Sequence, residues 1–171
     1  MKSIRKTLEQ AHTALNNANI DHALIGGLSL SHHGIHRATQ DVDLLVNGSS
    51  KNEIIKTLEK VGFKLYVETE EVMHFTGEVS LDLLLAHRPL SLAMLDNAVL
   101  SENLNVKCVA AEDIIGLKIQ AYKNNAKREL QDKADILSII SKNNNLDWDK
   151  IKHYADIFNE WDTIEKLRSN L

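Results

Sequence analysis

Asp41, Asp43 and Asp82 are the residues whose type and spacing could do chemistry. The run Asp41-Val42-Asp43-Leu44-Leu45-Val46 reads as a strand. Side chains alternate along a strand, so Asp41 and Asp43 share one face while Val42, Leu44 and Val46 share the other. Two carboxylates about 7 Å apart on one strand face repel each other and lose solvation. Folding alone gives no reason to put them there, whereas a divalent cation does, because hard oxygen ligands on a rigid strand suit magnesium. Asp82 lies between Leu81 and Leu83 in the apolar run Val79–Leu85. Neighbouring strands are about 4.8 Å apart, which lets a third carboxylate join the first two over one site. Taken by itself, an aspartate facing water on a half-exposed sheet explains Asp82 equally well.

These aspartates need elements to hold them. His22–Ile25 is a short apolar strand, and Gly26-Gly27 then permits a sharp turn and close approach of a ligand to the backbone. A helix of about two turns is expected after the glycines, carrying Ser29 and Ser31 and ending at Gly34. Its free N–H groups would favour phosphate over the end of the strand. Arg37 and Thr39 lie in the loop entering the aspartate strand; Arg37 reads equally well as a surface arginine or, beside the carboxylates, as a phosphate or substrate contact. His32, His33 and His36 do not read as a metal cluster, since adjacent helical positions do not face one another.

Periodicity supplies the rest. Ile4, Leu8, Ala11, Leu15 and Ala18 mark an opening amphipathic helix, and Ser50 with Glu53 reads as a capping box for a helix that Gly62 stops. Strands are expected over Phe63–Val67, Val72–Thr76 and Val79–Leu85, a helix after Pro89, and an edge strand over Val106–Val109. Four helices follow: 111–122, 128–141, one capped by Asp147, and one from Trp161, with Trp148 and Trp161 as core anchors. The fold class is therefore α+β, a small mixed sheet flanked by helices, with an α-helical bundle at the C-terminal end. The expected division is an α/β core over 1–109 and a helical region over 110–171.

Apolar-Gly-Gly, then Asp-x-Asp, then apolar-Asp-apolar, in that order, resembles the nucleotidyltransferase superfamily that includes DNA polymerase β. Gly26-Gly27 followed by Arg37-Ala38-Thr39-Gln40-Asp41-Val42-Asp43 is most similar to the AbiEii-type nucleotidyltransferases of toxin–antitoxin and abortive-infection systems. The resemblance implies transfer of a nucleoside monophosphate from a nucleoside triphosphate to a hydroxyl. Asp41, Asp43 and Asp82 would be catalytic and would ligate two magnesium ions. Gly26, Gly27, Ser29, Arg37 and Thr39 would line the nucleotide. It also implies that a lysine on the helix after the sheet, matched by Lys118, contacts the phosphates. An aspartate on the next helix would complete the site, and Asp132 and Asp135 both fit. Between Asp113 and Glu129 the cations Lys118, Lys123, Lys127 and Arg128 occur with no acid among them, which suggests either a solvated helix face or a positive wall towards a triphosphate. Acceptors in such families include tRNA ends, protein side chains and small antibiotics.

Composition narrows the alternatives. With 171 residues, 43% hydrophobic and 26% charged, the chain is long enough for a real core. A net charge of −4 argues against a non-specific DNA binder. The single Cys108, in an apolar run, reads as a buried hydrophobe. No apolar run approaches 18 residues and MKSIRKTLEQ has no apolar segment, so neither a membrane span nor a signal peptide is expected, and the compartment is cytoplasmic by default. An aspartate-nucleophile phosphatase also uses Asp-x-Asp. It requires an apolar strand before the first aspartate and usually a threonine after the second, whereas Arg37-Ala38-Thr39-Gln40 and Leu44 stand here. The serious rival is a binding protein on the same fold, an antitoxin or partner subunit with weak or no catalysis. Three retained, mutually repelling acids count against a dead enzyme.

Overall fold

The structure, a computed structural model, describes residues 2–169. The chain divides into two compact units: residues up to His32 together with Arg37–Val109, and His33–His36 together with the residues from Ala110 onward.

The first unit is built on one mixed sheet. Its strands are β1 (His22–Ile25), β2 (Asp41–Asn47), β3 (Lys64–Glu68), β4 (Val72–Thr76), β5 (Ser80–Ala86), β6 (Val99–Ser101) and β7 (Val106–Cys108), ordered β3-β4-β5-β2-β1-β7-β6. β2 runs parallel to β5 and antiparallel to β1, and β1 runs parallel to β7. The helices of this unit are α1 (Lys2–Asn17), α2 (Gly26–Ser29), α3 (Lys51–Lys60) and α4 (Pro89–Asp96). Leu8, Ala11 and Leu15 of α1 and Ile54 and Leu58 of α3 form one core with Val42, Leu44, Val46, Met73, Phe75, Leu81 and Leu83. Strand alternation therefore fixes the other consequence: the residues between these apolar ones lie on the opposite sheet face. Asp41, Asp43, His74 and Asp82 are those residues, each half-buried.

The second unit is a set of four helices: α5 (Ala111–Asn124), α6 (Glu129–Lys142), α7 (Trp148–Ile157) and α8 (Trp161–Ser169). Ile114, Ile115, Ile119, Ile136, Ile139, Ile151, Tyr154 and Ile164 are buried. Asp147 caps α7, its Oδ1 accepting from the Lys150 N–H at 3.0 Å. α5 and α7 pack so closely at Gly116 that a Cβ there would lie 2.7 Å from the Tyr154 ring.

Several local expectations need correction. Helix α2 is a single turn followed by a 3-10 turn over Leu30–His33, so the two regular turns expected after the glycines do not form. Gly34 (φ +75°) follows that turn, as a left-handed stop should. Ser50 makes no side-chain cap; the Asn47 side chain instead accepts from the Ser49 N–H at the 3-10 turn preceding α3. The strand at Val106 is not an edge, because the short β6 lies outside it. Trp148 and Trp161 are half-buried rather than central: Arg168 lies 4.0 Å from the ring centroid of the first and Lys152 lies 5.4 Å from that of the second. No helix among the described residues is long and apolar enough to cross a membrane.

Candidate active site

The parallel pairing of β2 with β5 sets Asp43 directly opposite Asp82. With Asp41 two residues earlier on the same face, the three carboxylates each bring an oxygen to within 4.8 Å of the others. This is the only such group of three or more metal-ligating side chains among the described residues. The donor set is all carboxylate oxygen, the chemistry of a hard divalent cation rather than of zinc or copper. Gly26 completes the cradle. Its φ of +66° is a left-handed conformation, and a Cβ on it would overlap the Asp43 carboxylate. Only glycine lets the first strand end against that carboxylate.

The Gly-Gly turn also organises its neighbours. Ser29 is fully buried and its hydroxyl donates to the Gly26 carbonyl at 2.8 Å, bracing the turn from inside. A Cβ on Gly27 would approach both Arg37 Nη2 and Thr39 Oγ1 at 2.9 Å, so the bare backbone faces these two side chains. Arg37 is exposed and donates from Nη1 to the Ala38 carbonyl at 2.8 Å; Thr39 donates to Asp41 Oδ1 at 2.9 Å. Gly26, Gly27, Arg37, Thr39, Asp41, Asp43 and Asp82 thus gather in the first unit, with Ser29 beneath them.

One residue was missed by sequence reasoning. His74 on β4 is the register partner of Asp82, and its Nδ1 lies 2.7 Å from Asp82 Oδ1. Alternation within Val72–Thr76 places His74 opposite Met73 and Phe75, but only the strand register reveals which acid it meets.

Lys118, Asp132 and Asp135 form a cluster of their own in the second unit. Lys118 is 4% exposed, and its Nζ lies 3.1 Å from Asp132 Oδ1 and 2.5 Å from Asp135 Oδ2. Asp132 also accepts from Arg128 Nε at 3.1 Å, and Asp135 from Gln131 at 3.0 Å. The positive wall read from the sequence is therefore largely neutralised: Lys123 pairs with Glu160 at 2.8 Å, and the acids on α6 take Lys118 and Arg128. Cys108 is buried as expected, and burial pushes its thiol up to about 12, far from a reactive thiolate.

No protein-family model matches the sequence, and no curated protein matches it significantly. Solved structures do. The antibiotic-resistance factor ANT(2'')-Ia is similar with a TM-score of 0.59 and 16% identity, over 99% of this chain and 92% of that one. An antigenic nucleotidyltransferase-like protein from Paracoccidioides brasiliensis gives 0.57 and 19%, over 99% and 93%. The lincosamide antibiotic adenylyltransferase LnuA, with lincomycin bound, gives 0.54 and 15%, over 75% and 91%. At these identities the likeness establishes the fold: the chain has a nucleotidyltransferase fold of the α+β class.

Proposed function

We propose that this protein is a divalent-metal-dependent nucleotidyltransferase that moves a nucleoside monophosphate from a nucleoside triphosphate to a hydroxyl acceptor. The observation that carries this is the convergence of Asp41 and Asp43 of β2 with Asp82 of β5 on one sheet face, with oxygens within 4.8 Å of one another. Asp41 and Asp43 would hold magnesium on the triphosphate, and Asp82 would join them in holding a second ion. Bound there, the cations supply neutralisation of charge on the attacking and leaving oxygens of an in-line displacement at phosphorus. The chain's own groups do the rest. Gly26 and Gly27 let Asp43, Arg37 and Thr39 pack against bare backbone, and the exposed Arg37 guanidinium is available to a phosphate. Thr39 fixes Asp41 through its hydroxyl. Asp82 takes the acceptor's hydroxyl proton as the acceptor oxygen bonds to the α-phosphorus and pyrophosphate leaves. A nucleotide role for Lys118, Asp132 and Asp135 rests on the resemblance alone.

The run Arg37–Asp43 points within the fold towards AbiEii-type enzymes, which makes tRNA ends and protein side chains the first acceptors to test. Small antibiotics come next, given the lincomycin-bound neighbour. Incubation with each α-labelled nucleoside triphosphate, magnesium and these acceptors in turn is the direct assay. Label is expected on one acceptor class and none with Asp43→Asn. Transfer that survives Asp43→Asn would place the chemistry elsewhere.

A further inference from the structure

We infer that His74 is a positioning residue for Asp82, holding the third carboxylate in the orientation in which it can share a cation with Asp41 and Asp43. The inference rests on the metal reading of those three acids and goes beyond it by adding a third residue to the cross-strand row of Asp43 and Asp82. Register sets the row: Asp43 pairs with Asp82 across β2 and β5, and Asp82 pairs with His74 across β5 and β4. The imidazole Nδ1 lies 2.7 Å from Asp82 Oδ1, a distance at which a nitrogen donates to a carboxylate. An ionised carboxylate only accepts, so this contact requires the proton on Nδ1. The bond fixes the orientation of the carboxylate, which keeps lone pairs for a cation. Both side chains are about a quarter to a third exposed, at 31% and 26%, so the bond is neither in bulk water nor sealed in the core.

The imidazole also has a ring neighbour. At β3 the register slips between Leu65 and Val67: Leu65 pairs with Phe75 and Val67 with His74, leaving Tyr66 as the extra residue of a bulge. Bulges re-aim side chains, and the Tyr66 ring lies 5.9 Å from the His74 ring at 36°. Nothing in the packing of the core demands this histidine, because its neighbours Met73 and Phe75 point to the other face. Residues that hydrogen-bond a metal ligand fix its orientation and basicity, and losing one commonly lowers metal affinity about 10- to 100-fold.

The test is calorimetric titration of the full chain with magnesium or manganese alone, in wild type, His74→Phe and His74→Asn. Phenylalanine keeps a flat ring and removes the donor; asparagine loses the ring and returns an N–H near the place of Nδ1. Wild type is expected to bind the ion, His74→Phe to bind it at least about tenfold more weakly, and His74→Asn to recover most of the loss. Equal affinity in wild type and His74→Phe overturns the positioning role while leaving the metal site intact. A loss that His74→Asn does not rescue also overturns it, because ring packing rather than the hydrogen bond would then be responsible. A wild type that binds neither ion overturns the metal reading and this inference together. Nitrogen chemical shifts of the His74 imidazole give a readout that needs no variant: Nδ1 must carry a proton, and an unprotonated Nδ1 contradicts the assignment.

Discussion

At the scale of single residues, the three aspartates should work against folding until a cation arrives. Two unit charges within 4.8 Å of each other repel by at least about 1 kcal/mol at the dielectric of water and about 3 kcal/mol at the value usual near a protein surface. Asp43→Asn removes one of them at nearly constant volume. In chelator, that variant should melt higher than wild type, by about 2–4 °C per kcal/mol relieved in a chain of this size. Magnesium should then narrow or reverse the difference by stabilising the wild type alone. Aspartates merely solvated on a sheet predict no difference in either condition. Gly26→Ala acts in the opposite sense. Its φ of +66° is strained for alanine by about 1 kcal/mol or more, and the added Cβ overlaps Asp43. The variant should melt lower and lose its response to magnesium, which two melting curves decide. The Asp-x-Asp pair was legible because alternation along one strand is local. His74 was not, because its meeting with Asp82 depends on the pairing of β4 with β5.

At the scale of elements, two ties carry distinct expectations. The first joins α5 to α6. The sequence alone suggested Lys118 on an accessible basic face; in the structure it is buried between Asp132 and Asp135. Removing one partner of a buried ion cluster leaves uncompensated charge and costs about 3–5 kcal/mol. Lys118→Met should therefore lower the denaturation midpoint strongly, and Lys118→Met combined with Asp132→Asn and Asp135→Asn should recover much of the loss. The reason the sequence misled is physical: acids 14 and 17 residues away reach the lysine only when two helices pack. The second tie joins α1 to β1, where His12 Nδ1 and His22 Nε2 lie 2.8 Å apart and His22 Nδ1 meets the Ile20 carbonyl at 2.7 Å. Burial holds both imidazoles below their ordinary pKa; at His22 the Ile20 carbonyl and Asp21 act upward, and His12 and Lys107 act downward. Below the ordinary value of about 6.5, the unfolded chain binds protons that the folded chain does not, so folding stability is full above that pH and falls on acidification. Melting temperature should drop from pH 7.5 to pH 6, less steeply in His22→Asn. Long periodic helices and strands with apolar alternation were legible for the same reason throughout. β6 was not, being three residues of which Val99 and Leu100 are exposed.

At the scale of the whole molecule, a chain of net charge −4 has no general attraction for a nucleoside triphosphate, which carries the same sign. A cation at the three aspartates removes that conflict locally, so nucleotide binding should depend on metal far more than on ionic strength. The nucleotidyltransferase-fold neighbours span nearly the whole chain. Calorimetric titration of each of the four nucleoside triphosphates, once in chelator and once in millimolar magnesium, tests the account most directly. At least one nucleotide should bind in magnesium, none in chelator, and none to Asp43→Asn in either. Equal binding with and without the metal, or no binding of any nucleotide in magnesium, would contradict the account.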